Sequence, residues 1–466
     1  MTPATAKIAG PAPATVIGCK ALRAWSALPK EDAEVRTVRQ WVAETAGGLP
    51  RPFWYLWANT LINRLGSFAI IVLAIYLTQG RGFSESFAGL VIGLWGAGAA
   101  VGTLIGGVLA DRWGRKPTAL TALYSGAGVM LLVGFATGRL EMAVAVTLLG
   151  LVSEASRPAL SALMIDIVGE QDRVRAFSLN YWVINVGFAV AATLAGVLAG
   201  VDFRLLFAIN AASTAIGATV VAIAVKEPPR PPRPAGTTAA GGPGLRAVFA
   251  DRVFISFVAV NVLTAIVFMQ HISTLPMTMG HDGLPPATFG TVIALNGVLI
   301  VAGQLFVPRL LRGRRTASTM AVAAVIMGVG FGLTAFADVA WFYAVTVLVW
   351  TVGEMLNSPS NSATNAELSP AHLRGRYQGV FSLSWSIASF VAPILGAAVL
   401  QYAGSTVLWL GCFVVGLVVA GLHLLAGPAR QRRAAEIRAA EAGTGASVPE
   451  DVVVPADERV PALTTA

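Results

Sequence analysis

Apolar runs of about twenty residues, the length an α-helix needs to cross a bilayer, recur along this chain with short polar breaks between them. No water is present in hydrocarbon to satisfy peptide groups, so a chain that crosses it repeatedly must do so as helices or as a closed barrel. Runs this long and this continuously apolar are helical. Twelve are read here, with bounds good to a few residues: 53–78, 86–109, 117–137, 140–166, 177–200, 204–225, then 253–277, 287–309, 317–337, 340–365, 377–400 and 404–426. Composition agrees. Only 12% of the 466 residues are charged and 55% are hydrophobic, against about 25% charged in an average soluble domain. Such a chain has too little charge to cover a water-facing surface of its size. That excludes a soluble two-domain enzyme, a disordered chain and a nucleic-acid binder. The fold class is an all-α membrane protein with 12 transmembrane helices.

Between the sixth and seventh runs lies Pro228-Pro229-Arg230-Pro231-Pro232-Arg233-Pro234, followed by glycine-rich sequence. Each proline lacks a backbone donor and restricts the residue before it, so this stretch is no helix. It divides the chain into an N-terminal tail 1–52, a six-helix half 53–225, a linker 226–252, a second six-helix half 253–426 and a C-terminal tail 427–466. Both tails are expected to be mostly disordered. Pro11, Pro13 and Pro29 break the apolar runs of the first fifty residues, which therefore do not read as a leader. Cys19 and Cys412, the two cysteines, offer neither metal spacing nor a disulfide framework.

The basic residues are distributed unevenly. Of 33 Lys and Arg, 28 fall on the side of the two tails and the linker, whereas Arg81, Arg139 and Arg204 fall on the other. Arg64 and Arg157 fall inside segments. Basic residues are retained on the cytoplasmic side, so both termini are expected there, in a plasma membrane of bacterial inner-membrane type. The formal net charge of +9 is then a topology signal facing anionic headgroups rather than a ligand site.

The two halves are related. At an offset of 201 residues Pro158 meets Pro359, Ser161-Ala162 meets Ser362-Ala363, Asp166 meets Glu367, and Arg173-x-Arg175 meets Arg374-x-Arg376. Two six-helix repeats of the same orientation are the plan of a transporter whose site lies between them near the middle of the membrane.

The most specific local pattern joins segments 2 and 3: Gly107-Val108-Leu109-Ala110-Asp111-Arg112-Trp113-Gly114-Arg115-Lys116. Gly114 permits a tight reversal, and Asp111 ends segment 2 at the surface. Arg112, Arg115 and Lys116 are placed to meet anionic lipid. Gly98, Gly102 and Gly106 form a ridge on segment 2 that allows another helix to come close. The pattern resembles the signature of the major facilitator superfamily, Gly-x-Leu-x-Asp-Arg-x-Gly-Arg-Lys, and the resemblance covers roughly 53–426. It implies the 12-helix, two-repeat fold of that family. It also implies a gating role for Gly107, Asp111, Arg112, Gly114, Arg115 and Lys116, with Asp111 latching helix 2 to helix 11 in the outward-facing state. The counterpart in the second half, Pro308–Arg315, keeps the basic residues and lacks the acid.

Polar groups at bilayer depth are costly and are by default functional. Segment 1 holds Asn59, Asn63 and Arg64, and segment 4 holds Glu154 and Arg157. Segment 7 holds Gln270 and His271, and segment 10 holds Glu354, Asn357, Ser358, Asn361 and Asn365, which share one helical stripe. The resemblance implies that helices 1, 4, 7 and 10 line the central cavity. Asn59, Asn63, Arg64, Arg157, Gln270, His271, Asn357 and Asn361 are the cavity candidates. Glu354 has no basic residue within a helical turn, which makes it the first candidate for a proton site, with Glu154 the second. Glu154 and Arg157 are three apart, a spacing that also suits mutual neutralisation, and Arg64 is placed to pair with Glu154 or Glu354 or to bind an anionic group.

Asn63-Arg64-x-Gly66 and Arg157-Pro158-Ala159-Leu160-Ser161-Ala162-Leu163 look like the drug:proton antiporter group of that superfamily. The Gly-Pro pair of that group's helix 5 is replaced by Ala191-Ala192, and a proline, Pro393, stands in segment 11 instead. The expected function is secondary active transport by alternating access: proton-coupled efflux of small amphipathic compounds, with uptake of a sugar, peptide or organic acid as the alternative. A membrane-embedded sensor or enzyme fits less well, since no appended domain, nucleophile–base pair, metal cluster or phosphate loop is visible. The expected partners are a small-molecule substrate and the bilayer. No cofactor is expected beyond a proton as coupling ion, no metal and no nucleic acid, and the chain is expected to act as a monomer.

Overall fold

The computed structural model describes residues 47–227 and 245–445, apart from 305, 312, 371 and 372. Most of the expected N-terminal tail, the proline-rich part of the linker and the last 21 residues lie outside the described residues. The described chain is helical, and eleven of its helices are long and apolar enough to cross a membrane. They are α1 (Arg51–Gly80), α2 (Glu85–Arg112), α3 (Arg115–Phe135), α4 (Arg139–Ile167), α5 (Arg173–Ala199), α6 (Phe203–Ala224), α7 (Arg252–Ser273), α8 (Pro286–Gly303), α9 (Thr316–Leu333), α11 (Arg374–Ala403) and α12 (Ser405–Gly445). The twelfth, α10 (Ala340–Glu367), has 28 residues and is equally long. Its second half carries Asn357, Ser358, Ser360, Asn361, Ser362, Thr364 and Asn365, which make it too polar to face lipid throughout.

Three expectations need correction. The first segment is not one continuous helix: α1 is helical over Arg51–Leu65 and Ala69–Ile75 and closes on a π turn, Tyr76–Gly80. A side chain at Gly66 would strike Ser213 of α6, so the chain bends where α1 and α6 approach. The bend frees the amide of Ala69, and the buried side chain of Asn210 on α6 accepts from it at 3.2 Å. The expected linker contains a short helix, Leu245–Ala250. The expected disordered tail is helical as far as Gly445. Its alanine, arginine, glutamine and glutamate residues are strong helix formers, and it has partners. Ala434 and Ile437 are buried, Arg430 lies 5.1 Å from the ring centre of Phe257, and Arg433 donates to Asp251 at 3.0 Å. Asp251 also caps α7 through the Phe254 amide and accepts from Tyr377 of α11.

In the first half, α2 and α3 pack on α4, and α1 packs on α5 and α6. In the second half, α9 lies between α10 and α12, and α7 packs on α11 and α12. The halves meet through α2 on α11 and α5 on α8. The second helix of each half thus meets the fifth of the other, as a repeat related by a twofold axis requires.

Backbone proximity makes these contacts. The Gly98, Gly102 and Gly106 ridge of α2 rests on the carbonyls of Thr147, Leu151 and Ala155 of α4. A second glycine face, Gly89, Gly93 and Gly96, rests on Pro393, Phe390 and Ser389 of α11. Between α5 and α8, Gly196 and Gly290 abut each other. Replacing Gly102 with valine should overpack α2 against α4 and lower the melting temperature of the purified protein by on the order of 5 °C. Gly107→Ala, at a position facing open space, should leave it unchanged.

Candidate functional site

The glycine-and-arginine loop between α2 and α3 is built by Gly114, whose φ of 122° suits glycine. Arg115 and Lys116 do not face lipid, as the sequence suggested. Arg115 pairs with Asp166 at the end of α4 and its amide donates to Glu227 at 2.7 Å. Lys116 donates to the Ala222 carbonyl of α6 at 2.8 Å. The loop thereby ties together the ends of α3, α4 and α6. Asp111 and Arg112 are exposed, and α11 touches α2 at the opposite end of that helix. The latch implied by the resemblance is not engaged in this conformation.

At mid-helix in the first half, Arg157 and Glu154 form an ion pair at 3.1 Å on α4. Arg64 of α1 lies within electrostatic reach of both. A side chain at Gly187 of α5 would meet the Cβ of Arg64, so the missing side chain makes room for this cluster. Two guanidinium groups share one carboxylate, leaving a surplus of positive charge. Asn63 beside it accepts from Thr214 of α6 at 3.5 Å.

The second half holds a different arrangement. Glu354 of α10 makes no ion pair among the described residues. Its Oε2 accepts from Asn296 of α8 at 2.7 Å, and the same amide nitrogen donates to Thr351 at 3.1 Å. The Tyr181 phenol of α5, from the other half, lies within electrostatic reach of Glu354. Asn357, one turn further along α10, is half-buried.

Four cavity candidates are packing residues instead. Asn59 is buried against Gly217 of α6. Gln270 is buried, donates to the Ala392 carbonyl of α11 at 3.1 Å and accepts from Thr274 at 2.9 Å. His271 bonds through Nδ1 to the Phe268 carbonyl and lies among the rings of Phe268 and Trp350. Asn361 donates to Asn261 of α7, which donates to Ser384 of α11, each at 2.5 Å. Gln270, His271 and Asn361 each find a hydrogen-bond partner inside the second half, which is the alternative to facing water, whereas the buried Asn59 Oδ1 has none among the described residues.

The space between the halves holds a cavity toward each end, the larger at the end bearing Asp111. At the end bearing Glu85 polar links join the halves beside a cavity of about 400 Å³ lined by Thr78, Gln79, Phe83, Met277 and His281. Glu85, first residue of α2, pairs with His281 at the end of the short helix Leu275–His281. The Ser86 amide donates to Gln401 of α11 at 2.9 Å, and a side chain at Gly280 would meet Gln79. At the end bearing Asp111, α5 and α8 part around a cavity of about 630 Å³ lined by Phe177, Tyr181, Trp182, Asn185, Ile300 and Gln304. The aromatic residues, Asn296 and the Glu85–His281 pair were absent from the sequence candidates. A lone asparagine in the apolar run Val292–Ile300 was the one signal available, whereas Glu85 and His281 lie in separate halves and near helix ends, where charge is ordinary.

Comparison with known proteins places this architecture. The family model for the Major Facilitator Superfamily matches residues 56–393. Among curated relatives, a Na(+), Li(+), K(+)/H(+) antiporter of Planococcus maritimus is 24% identical, covering 74% of this chain and 88% of the relative. Multidrug resistance protein MdtH of Aeromonas hydrophila is 23% identical, covering 78% and 92%. Among solved structures, nucleoside transporter NupG shares the fold with a TM-score of 0.69 at 17% identity, covering 82% of this chain and all of that one.

The links at the Glu85 end are accessible to direct measurement. With cysteines at Ser86 and Gln401, a short bifunctional thiol reagent should link α2 to α11, and adding Glu85→Gln should slow the linkage several-fold. An unchanged rate would show that the Glu85–His281 pair does not hold this end.

Proposed function

Because this chain belongs to the Major Facilitator Superfamily, whose members are transporters and not enzymes, we propose that it exports small amphipathic compounds in exchange for protons. The observation that carries this reading is Glu354. It is a carboxylate at bilayer depth, hydrogen-bonded by Asn296 and lacking a counter-ion among the described residues. A group so placed can take up and release a proton without breaking an ion pair. Tyr181 connects it electrostatically to the cavity between α5 and α8, whose aromatic and aliphatic walls suit a compound with an apolar body. A relative named as a multidrug resistance protein and another named as a cation/proton antiporter support export and proton exchange.

In this reading the Asp111 end faces the cytoplasm of a bacterial inner membrane, as the concentration of Lys and Arg on that side favours. The conformation is then inward-open, with Glu85 and His281 closing the outer end. Rocking of the halves about the glycine contacts of α2 and α5 exposes the site to the other side. Asp111 latches α2 to α11 in the outward-open state, and the transporter works as a monomer. The Arg64–Glu154–Arg157 cluster carries surplus positive charge and favours a second reading, proton-coupled uptake of an organic acid. An export-versus-uptake assay in a deletion strain separates the two.

The central test is proton flux in proteoliposomes on addition of candidate compounds. The wild-type protein should move protons against substrate. Glu354→Gln should insert normally and bind substrate, yet lose coupled transport by at least about tenfold, as expected when a group acting in every cycle is removed. Active export unaltered in Glu354→Gln would overturn the assignment.

A further inference from the structure

We infer that Asn296 is the positioning residue through which the protonation state of Glu354 reaches the contact between the two halves. The inference rests on the proposed proton-carrying role of Glu354 and adds the route by which that proton moves helices.

Asn296 is buried on α8. Its amide nitrogen carries two protons, and both are engaged on α10: one with Glu354 Oε2 at 2.7 Å, the other with Thr351 Oγ1 at 3.1 Å. Thr351 and Glu354 are three residues apart and share one face of α10. The next residue on α8 serves the other side. A side chain at Gly297 would lie 2.9 Å from the Ala189 Cβ and 3.2 Å from the Asn185 carbonyl, both on α5 of the first half. Two turns earlier Gly290 abuts Gly196 of α5. The segment 290–297 of α8 is therefore held by α10 within its own half and by α5 across the interface.

A hydrogen bond to an ionised carboxylate is roughly twice as strong as one to a neutral acceptor. Protonation of Glu354 weakens its bond with Asn296 and turns the acid into a donor that needs an acceptor of its own. The amide and the acid must then pair anew. Among the described residues the groups facing Glu354 from the neighbouring helices are uncharged: Asn296 from α8, Thr351 from its own helix and the Tyr181 phenol from α5. No fixed charge among them masks the change. Since α8 is the element shared between Glu354 and the α5 contact, it carries the change to the interface and to the cavity that α5 and α8 enclose.

The test uses the full chain in proteoliposomes, with Cys19 and Cys412 replaced by alanine and a single cysteine at Ser178, in the wall of the α5–α8 cavity. Its rate of thiol labelling is compared in acidic and mildly alkaline buffer, divided at each pH by that of the same cysteine in the denatured protein so that the thiolate fraction cancels. The parent should show a change of about fivefold, the scale set by one hydrogen bond. Asn296→Ala should abolish that response, and Asn296→Gln, which keeps the donors, should restore part of it. Should the alanine variant fold poorly, Asn296→Leu, similar in size and without donors, gives the same reading. A full pH response in the donor-less variants overturns the inference. If Glu354→Gln abolishes the response while Asn296→Ala keeps it, the relay through Asn296 alone is wrong. If Glu354→Gln keeps it as well, the proton role of Glu354 fails.

Discussion

Apolar helices surrounded by lipid gain little from burying one another, because the tails they leave are as apolar as the side chains they meet. What holds them is dispersion at short range, and that requires backbones to come close. Helix α2 meets this requirement on two sides. Gly98, Gly102 and Gly106 set it on the carbonyls of α4 within the first half, and Gly89, Gly93 and Gly96 set it on α11 of the second. The α5–α8 contact repeats the device with Gly196 and Gly290. The position of the space between the halves, and of every polar group bordering it, follows from where those close approaches occur.

Within that frame the two halves have diverged at the same depth. The offset that aligns Pro158 with Pro359 brings α4 onto α10, yet α4 carries an ion pair and α10 a carboxylate served, among the described residues, by a neutral donor. An ion pair resists loss of either charge, since the partner would be stranded. A carboxylate held by an amide and facing a phenol has no such constraint. One half therefore presents a fixed field and the other a charge that can be switched, a division of labour that identical repeats would not provide.

The spans and the repeat were legible because hydrocarbon imposes a length and an apolarity that no soluble context demands. The polar residues were legible only as far as their helix. The spacing of Asn357, Asn361 and Asn365 puts them on one stripe, but not on one neighbour. Asn361 turns to Asn261, Asn365 donates to Gln378 at 2.6 Å, and Asn357 is left half-buried. Gln270 and His271 are adjacent, and each finds a partner inside the second half. Periodicity reports direction around an axis, while function here depends on which helix stands opposite. The tail beyond residue 427 misled for a related reason. Its polarity suggested solvent, whereas Arg433 and Ile437 are committed to the body of the protein.

Of the two glycine faces of α2, the one against α11 joins the two halves and bears on turnover. A glycine resting on a carbonyl has no side chain to disengage and no polar group to strand when the surfaces part. The α2–α11 seam can therefore part by giving up dispersion alone, without stranding a polar group. The polar links at its rim, Glu85 with His281 and the Ser86 amide with Gln401, add a resistance that can be adjusted separately. The seam supplies the hinge line and the rim tunes the dwell time, so the lifetime of the linked state is adjustable by evolution at two or three rim positions without touching the packing beneath.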